Sequence, residues 1–544
     1  MHEIHSHNLE TPPIDTVKCV KGFDLIKAEY PVYLTDESKL SANPFDYLFF
    51  PKNECELAAV IKEMAQKKVP ITVAGARTGL VGGSVPQQGA VISLEFLDSV
   101  EGIHHDPLSG EWVIRAQTGV SLKALDGMLR IKKFPTLEAS TDQNCLDELQ
   151  RFKEEKNSYF YPPDPTEMSA SLGGSVVTNA SGARTYRYGP TRAWVRGIRV
   201  FLANGEYLDI PRGKYFASPA GRFTVYDSKG GSSSFIIPDY SLPRTKSTSG
   251  IFTAPQMDLI DLFIGSEGVF GIVTRVDVAL LEREEKISIV TFVDSDEQAV
   301  DLTIALRENP LLQLDFLEFY SSNALNLLRE RQGREPSTVG MPPLSPEGAS
   351  AVFFEMSFDS HSESIDFSAL EQTISNCGAS FERSWVGYES RELDRFKVFR
   401  HLIPETVNDI ISERKKSFPG LHKLGTDLAV PDEHLREMWK MYKKGCTAGN
   451  FDWLAFGHIG NNHLHINILP RNMEDQEKGL TLYAQFAKKA VEFGGAVSAE
   501  HGVGKIKAKF FRLMFTEEQI AQMKRVKTAF DPDSILNPGD IFGN

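Results

Sequence analysis

The chain has 544 residues, 41% of them hydrophobic, and its formal net charge of −14 comes from acidic residues spread along its length. A chain this long exceeds what one hydrophobic core supports, so two or three domains are expected, and the lack of a basic run argues against nucleic acid as a partner. The 5 cysteines form no C-x-x-C pair, and no stretch approaches the roughly 18 apolar residues that span a bilayer, which argues against iron–sulfur, zinc-ribbon and membrane-spanning classes.

Residues 1–40 are polar and are predicted to be a leader before the folded domains. Their start, MHEIHSHNLETPPID, has neither a positive nor an apolar signal region, so a cytoplasmic location is expected. His2, His5 and His7 are close enough in sequence for a metal cluster, but a polar, proline-bearing terminus favours disorder.

A first domain is predicted over residues 41–284, and it begins with a helix and short strands. ECELAAVIKEMAQKK has helical spacing, whereas PITVAG and AVISLEF are apolar runs typical of strands. The loop between these strands carries Gly75, Gly79, Gly82 and Gly83, and glycine permits positive φ and close approach of backbone N–H groups to an anion. The loop fits neither a nicotinamide fingerprint nor a P-loop, so a tight turn and a diphosphate site both stay open.

Two later loops repeat this chemistry of small residues, hydroxyls and backbone amides. They are SLGGSVVTNASGARTYRYGP and LFIGSEGVFGIVTRV, and three such loops in one domain indicate a long ligand with two phosphates. Between them, VRGIRVFLANGEYLDI predicts a hairpin that turns at Asn204-Gly205. Two segments, near residues 145–160 and 213–255, are predicted to be surface insertions, the first with helical spacing and the second rich in glycine and serine.

A second domain is predicted over residues 285–544, where longer helical patterns accompany strands such as ISIVTFV and AVFFEMSF. No internal repeat is present.

Within this domain, FGHIGNNHLHIN holds three of the chain's 13 histidines. A hairpin centred on its two asparagines would pair His458 with His465, about 5 Å apart at Cβ. Strand alternation would place His463, His465 and Asn467 on one face. Two histidines and Glu500 of VSAEHGVG would suit a divalent metal, but a polar hairpin with hydrogen-bonded histidines is the alternative, and spacing alone leaves both open.

Several segments, in this order and spacing, resemble a flavoprotein superfamily. GARTGLVGGSVP, PPDPTEMSASLGGSVVTNASGARTYRYGPTRAWVRGIRVFLANGE and LFIGSEGVFGIVT resemble the FAD-binding domain of the vanillyl-alcohol oxidase and p-cresol methylhydroxylase (PCMH) superfamily. FGHIGNNHLHIN, AVSAEHGVG and LNPGDIF are similar to its D-2-hydroxyacid dehydrogenase branch, which includes D-lactate dehydrogenases, D-2-hydroxyglutarate dehydrogenases and the glycolate oxidase large subunit. The resemblance implies an α+β fold: a two-subdomain PCMH-type FAD-binding domain, then an α+β substrate (cap) domain with an antiparallel sheet and a C-terminal helical segment that returns to the FAD domain.

The resemblance implies that the three glycine loops hold FAD. The implied contacts are with the diphosphate (Ala74, Gly75, Ala76, Arg77, Thr78, Gly79, Gly82, Gly83), the flavin and ribityl side (Pro163, Asp164, Ser171, Gly173, Gly174, Ser175, Asn179, Gly182, Arg184) and the adenosine half (Glu267, Ile272). Some relatives tether the flavin through a histidine in or near the first loop. Residues 71–100 contain no histidine, so non-covalent FAD is expected.

The resemblance also assigns roles around the histidines. It implies that His458, His465 and Glu500 bind zinc or manganese, which would polarise the substrate hydroxyl as a Lewis acid. His501 is implied to be the catalytic base, because imidazole titrates near working pH.

A cation is needed for the substrate carboxylate. Arg400 resembles the family's substrate arginine, and Lys423 lies near the place of a family lysine; a solvated charge is the alternative for each. Asn467 lies on the histidine face of its predicted strand and is a further candidate catalytic residue.

The sequence departs from the family pattern in two places. Asn461, Asn462 and His463 stand where Asp, Gly and Asn are common, so the turn is altered and His463 is an additional candidate ligand. Val269-Phe270 replaces the commoner Thr-Leu after Ser-Glu-Gly.

The implied reaction is oxidation of a D-2-hydroxy acid to the 2-oxo acid, with hydride transfer to the flavin. D-lactate is the first choice, and D-2-hydroxyglutarate and glycolate are alternatives. A non-redox enzyme like alkyl-glycerone-phosphate synthase is a rival, although SAEHGVG has one histidine where that enzyme has a run; a non-catalytic flavoprotein subunit is another. Quinone, cytochrome, electron-transfer flavoprotein and oxygen stay open as electron acceptors, as do a homodimer and peripheral contact with the inner face of a membrane.

Overall fold

The computed structural model describes residues 3–334, 338–339, 341, 344, 349–358 and 367–543. The elements before residue 284 are β1 Ile4–His5, β2 Cys19–Lys21, α1 Phe23–Glu29, β3 Tyr47–Phe49, α2 Glu54–Gln66, β4 Ile71–Ala74, β5 Ala90–Ser93, β6 Val100–His105, β7 Trp112–Gln117, α3 Leu122–Ile131, α4 Pro135–Glu138, α5 Gln143–Glu154, β8 Tyr159–Phe160, α6 Leu172–Val177, α7 Thr185–Tyr188, β9 Val195–Phe201, β10 Tyr207–Pro211, β11 Arg222–Tyr226, β12 Ser232–Ile236, α8 Ile260–Phe263, β13 Ile272–Ala279 and β14 Leu281–Glu282. Those after it are β15 Glu285–Val293, α9 Asp296–Glu308, β16 Leu314–Tyr320, α10 Ser322–Arg331, β17 Ser350–Phe358, α11 Ser368–Asn376, β18 Ser384–Gly387, α12 Ser390–Lys415, β19 Leu424–Gly425, β20 Leu428–Ala429, α13 Leu435–Ala448, β21 Trp453–Gly457, β22 His463–Ile468, α14 Met473–Glu492, α15 Ala508–Met514 and α16 Glu517–Phe530.

Two sheets form the scaffold of the first domain. In one, with strand order β2-β3-β5-β4, both β3 and β4 run parallel to β5. The other, with order β10-β9-β13-β7-β6, is antiparallel. The helix and strands predicted around the first glycine loop are confirmed as α2, β4 and β5, and the predicted hairpin is confirmed as β9–β10 with Gly205 at φ 81°.

The N-terminal residues are ordered, so the expected disorder is wrong for the part that the structure describes. Strand β1 pairs in parallel with β11, because the backbone N–H and C=O groups of both strands complete one ladder. His5 stacks on Tyr226 and His7 packs against Tyr207, so each imidazole has its own aromatic partner. His2 lies outside the described residues. Strand β2 pairs with β3, and the predicted leader is therefore part of the first domain.

Both segments predicted as surface insertions are anchored in the core. The first forms the predicted helix, α5, which buries Leu149 and Phe152. The second contains the β11–β12 hairpin, which buries Phe223 and Phe235 against α16. The buried apolar residues of both segments, at helical or alternate spacing, face the domain.

The second domain is built on an antiparallel sheet with order β18-β15-β17-β16-β21-β22-β19, and β20 also pairs with β22. It begins at β15, next to the predicted boundary. After α14, the chain returns to the first domain, where Phe511, Phe530 and Phe542 enter the hydrophobic core. The expected antiparallel sheet and returning C-terminal segment are confirmed. Among the described residues, no helix combines the length and the apolar character that crossing a membrane requires.

Candidate active site

One cavity is surrounded by all three glycine loops. Twelve of the residues predicted to contact the cofactor line it: Gly75, Ala76, Arg77, Thr78, Gly79, Gly83, Ser171, Gly173, Gly174, Ser175, Glu267 and Ile272. Glu500 and His501 line the same cavity. Loops that are far apart in sequence therefore share one space, and the predicted base and a predicted metal ligand face it.

Glycines form part of the wall of this cavity where neighbouring side chains leave no room for a Cβ atom. A Cβ atom at Gly75 would lie 2.6 Å from Oγ of Ser171, and a Cβ atom at Gly173 would overlap the side chain of Thr118. Ser171 is the N-cap of α6, and its Oγ accepts the N–H of Gly174 at 3.2 Å. The donors on this wall are peptide N–H groups and small hydroxyls, which suit a long ligand with a diphosphate, as FAD is.

The other residues predicted to contact the cofactor do not line this cavity; they are Ala74, Gly82, Pro163, Asp164, Asn179, Gly182 and Arg184. Arg184 forms ion pairs with Asp164 at 3.1 Å and with Glu355 of β17 at 2.7 Å. It thus joins the two domains at their contact. The carbonyl of Gly82 accepts a hydrogen bond from Lys505 at 3.1 Å.

Glu267 has a role that the sequence did not predict. Its carboxylate accepts the N–H groups of Val503 at 2.7 Å and Gly504 at 2.8 Å, which belong to the AEHGVG loop. Burial raises the pKa of Glu267, and these two hydrogen bonds oppose the rise. Glu267 therefore connects the third glycine loop to the loop that carries Glu500 and His501.

The histidine hairpin has a different register from the predicted one. His465 pairs with Phe456, two residues before His458, because residues 459–461 form a 3-10 turn. Asn462 ends this turn with a left-handed backbone, φ 52°, which asparagine tolerates. A shift of two residues preserves the faces of the strands, so the histidines still converge.

The hairpin brings four candidate ligands together. One ligand atom from each of His458, His463, His465 and Glu500 lies within 4.8 Å of the others. Nε2 of His458 is 3.4 Å from Oε2 of Glu500, and Nε2 of His465 is 3.3 Å from Oε1. Nδ1 of His465 lies 3.1 Å from the carbonyl oxygen of Thr426, which leaves Nε2 facing the cluster. The four side chains converge as ligands would around one ion, and His463 is the fourth candidate ligand.

His463 is fully buried, yet neither of its ring nitrogens forms a hydrogen bond. Nδ1 is 3.8 Å from Glu500, and Nε2 is 2.9 Å from Oδ1 of Asp427 without hydrogen-bond geometry. Burial lowers its pKa to about 3, so the ring is neutral. Buried polar atoms are normally paired, and a neutral, unpaired imidazole among other donors fits a metal ligand.

His501, the predicted base, lies beside this cluster. Its Nδ1 is 3.4 Å from Oδ2 of Asp427, and its Nε2 is 3.6 Å from Oε1 of Glu500. Burial lowers the pKa of His501 to about 4 although Asp427 opposes the change, so the imidazole is neutral near pH 7. A neutral imidazole that lines the cavity is able to accept a proton.

Three buried carboxylates at this site each have a protein cation. Glu500 pairs with Lys246 at 2.6 Å, Asp427 pairs with Lys507, and Glu318 pairs with Arg400 at 2.9 Å. Burial alone would raise the pKa of Glu500, but Lys246 and the histidines hold it well below its usual range. The sequence did not single out Lys246, Asp427, Lys507 or Glu318, because no local motif marks a contact between such distant segments.

The remaining predicted catalytic residues occupy different places. Arg400 is engaged with Glu318, whose carboxylate also lies 3.2 Å from Nδ1 of His458. Lys423 is exposed and donates to Asn408 at 2.9 Å. Asn467 is buried and donates to the carbonyl of His465 at 3.1 Å. Within the described residues, Arg400 thus contacts the histidine cluster through the carboxylate of Glu318, and Asn467 supports the backbone of His465, a candidate ligand.

A cavity bounded by three glycine loops, beside an antiparallel-sheet domain that supplies histidines and an acid, defines a flavoprotein of the PCMH type. The comparisons agree: residues 45–146 and 144–211 match the FAD binding domain family, and residues 282–541 match the C-terminal domain of FAD linked oxidases. The chain belongs to the FAD-linked oxidases and is an FAD-binding oxidoreductase.

Relatives with different substrates in their names are similar over most of the chain. The glycolate oxidase subunit GlcD of Bacillus subtilis is 26% identical, over 96% of this chain and 94% of its own. A D-lactate dehydrogenase of Anaerostipes hadrus is 28% identical (89% and 87%), and a D-2-hydroxyglutarate dehydrogenase of Stutzerimonas stutzeri is 24% identical (94% and 96%). A solved alkyldihydroxyacetonephosphate synthase structure superposes with a TM-score of 0.57 at 12% identity, covering 91% of this chain and 76% of that one, which shows the fold alone.

Proposed function

We propose that this protein is a dehydrogenase that oxidises a D-2-hydroxy acid, with D-lactate as the first choice, to the 2-oxo acid. The observation that carries the proposal is the adjacency of two sites. Glu500 and His501 line the cavity of the glycine loops, and Glu500 also belongs to the group of candidate metal ligands. A substrate in this cavity would therefore be next to a base and a metal site at once. FAD bound by the loops would supply the acceptor for the hydride.

The charges of the site favour an anionic substrate. Each of the three buried carboxylates already has its own cation, so a divalent ion would bring positive charge that these three pairs do not balance. A monocarboxylic 2-hydroxy acid such as D-lactate carries one negative charge, and loss of its hydroxyl proton adds a second. Because charges interact strongly in a buried site, this substrate class supplies the missing counter-charge, whereas a neutral alcohol does not.

The donor set favours zinc or manganese as the metal. Three imidazoles and one carboxylate converge, and imidazole is a common ligand of zinc, while a mixed nitrogen and oxygen set also accommodates manganese. A bound ion would lower the pKa of a nearby hydroxyl. His458, His465 and Glu500 are the proposed ligands, with His463 as the fourth donor.

His501 would take the hydroxyl proton at Nε2, since this nitrogen faces Glu500 and the other faces Asp427. Asp427 is held by the backbone N–H groups of Glu500 at 3.2 Å and His501 at 3.1 Å, and by the hydroxyl of Ser498 at 2.7 Å. A carboxylate fixed in this way would hold the imidazole in one orientation and stabilise its protonated form. Asp427 is therefore proposed as the positioning residue for the base.

An anaerobic stopped-flow screen of flavin reduction tests the proposal. The substrates are D-lactate, D-2-hydroxyglutarate and glycolate, with L-lactate as the matched control of opposite configuration. The expected result is bleaching of the oxidised flavin band by at least one D-acid and not by L-lactate. Flavin that stays oxidised with every acid would contradict the proposed reaction and leave the flavoprotein assignment intact.

A further inference from the structure

We propose that Lys246 binds the carboxylate of the substrate, an inference that rests on the proposed oxidation of a 2-hydroxy acid. The side chain of Lys246 is 3% exposed, although it lies in a segment predicted to be a surface insertion. Its Nζ donates to Oε2 of Glu500 at 2.6 Å and to the carbonyl of Gly182 at 3.2 Å. The cation therefore lies between a loop of the FAD domain and Glu500, a candidate metal ligand that lines the cavity.

The backbone around Lys246 is fixed to the loop that carries Glu500 and His501. The N–H of Thr248 donates to the carbonyl of Ser498 at 2.9 Å, and the hydroxyl of Thr248 accepts the N–H of Gly502 at 3.0 Å. Ser249 accepts the N–H of Ser498 at 2.9 Å and donates to its carbonyl at 3.0 Å. These reciprocal hydrogen bonds pre-organise Lys246 relative to the reacting groups, so little ordering is required when a ligand binds.

The other basic residues near the site are engaged elsewhere. Arg400 is paired with Glu318, Lys507 is paired with Asp427, and Lys423 is exposed. Lys246 differs because its partner, Glu500, is itself a proposed metal ligand. Once Glu500 binds a divalent ion, its charge is shared with that ion, and the buried ammonium of Lys246 needs another anion.

The chemistry of the substrate supplies that anion at the right distance. In a 2-hydroxy acid, the carboxylate is attached to the carbon that bears the hydroxyl. A hydroxyl near the metal and His501 therefore places the carboxylate a few ångströms from Glu500, within reach of the Lys246 ammonium. A charge-assisted hydrogen bond between the two is among the stronger single polar contacts in a binding site.

The test compares Lys246→Met with Lys229→Met, an exposed lysine in the same segment, as the matched control. The probe is oxalate, titrated into the FAD-loaded protein and followed by its perturbation of the flavin absorbance. Lys246→Met is expected to weaken oxalate binding by about 100-fold, which corresponds to about 2.7 kcal/mol. Lys246→Arg should recover most of the affinity, and Lys229→Met should match the wild type.

Metal content separates carboxylate binding from a scaffold role. Loss of a positive charge beside Glu500 should leave metal content unchanged or raise it, whereas a purely structural lysine would lower metal, FAD and oxalate binding together in both Lys246→Met and Lys246→Arg. Oxalate affinity in Lys246→Met equal to that of the wild type, or no response of the wild type to oxalate, would overturn the inference. If oxalate binding depends on Lys246 but no D-2-hydroxy acid reduces the wild-type flavin, the proposed oxidation fails and Lys246 remains a carboxylate-binding residue.

Discussion

Replacement of Asp427 by Asn separates two roles that this carboxylate plays. Asp427 is fully buried, faces Nδ1 of His501, and also pairs with Lys507, whose side chain is 9% exposed. Asn preserves the shape and removes the charge. Leaving one partner of a buried ion pair uncompensated costs about 3–5 kcal/mol, so the variant should unfold at a clearly lower temperature. His501 should also lose the group that orients it, and flavin reduction by a D-2-hydroxy acid should slow by about 10²- to 10⁴-fold.

The double variant Asp427→Asn, Lys507→Met is the decisive comparison. Removing both charges relieves the uncompensated ammonium, so thermal stability should recover by most of the loss. The rate should stay low, because His501 still lacks its carboxylate. The assays are thermal unfolding of the FAD-loaded protein and single-turnover flavin reduction. A double variant that regains both stability and rate would refute the positioning role and reduce Asp427 to a counter-ion for Lys507.

Three further results are expected. His463→Asn, which restores the common family residue, should lower metal affinity in a chelator competition with FAD content unchanged, and full affinity would show that His463 is only a neighbour. Gly173→Val should abolish FAD retention in a folded protein, because the wall has no room beside Thr118, and an unchanged flavin spectrum would remove this loop from the binding site. Burial raises the pKa of Asp540 to about 8, so the folded protein keeps a proton on this carboxyl that the unfolded chain loses near its ordinary pKa. The free energy of unfolding should therefore fall as the pH rises from about 4 to 8. Asp540→Asn should flatten this pH dependence, as measured by unfolding curves.

The fold and the candidate ligands that lie in motifs could be predicted from the sequence. The glycine loops occur in long segments that resemble one superfamily, and His458, His465, Glu500 and His501 lie in two further such segments. A one-residue error in the hairpin register would have sent the histidines to opposite faces, but the actual shift is two residues, so the predicted convergence survives.

The residues that the sequence missed are defined by long-range contacts. Lys246 is 254 residues from Glu500 in sequence and follows a stretch rich in glycine and serine, so composition pointed to the surface. Glu318 lies in β16 and Asp427 lies between β19 and β20, and a single acid in such a sequence usually faces solvent. Only the packing of three segments around the histidines makes these charges part of the site.

The proposed reaction requires the metal site and the flavin cavity to act on one substrate. Its most direct test is anaerobic flavin reduction by a D-2-hydroxy acid, measured on the native protein, after removal of metal with a chelator, and after addition of zinc or manganese. We expect rapid bleaching in the native protein, loss of bleaching with FAD still bound after metal removal, and recovery with added metal. Bleaching at the native rate in protein shown by elemental analysis to contain no metal would contradict it.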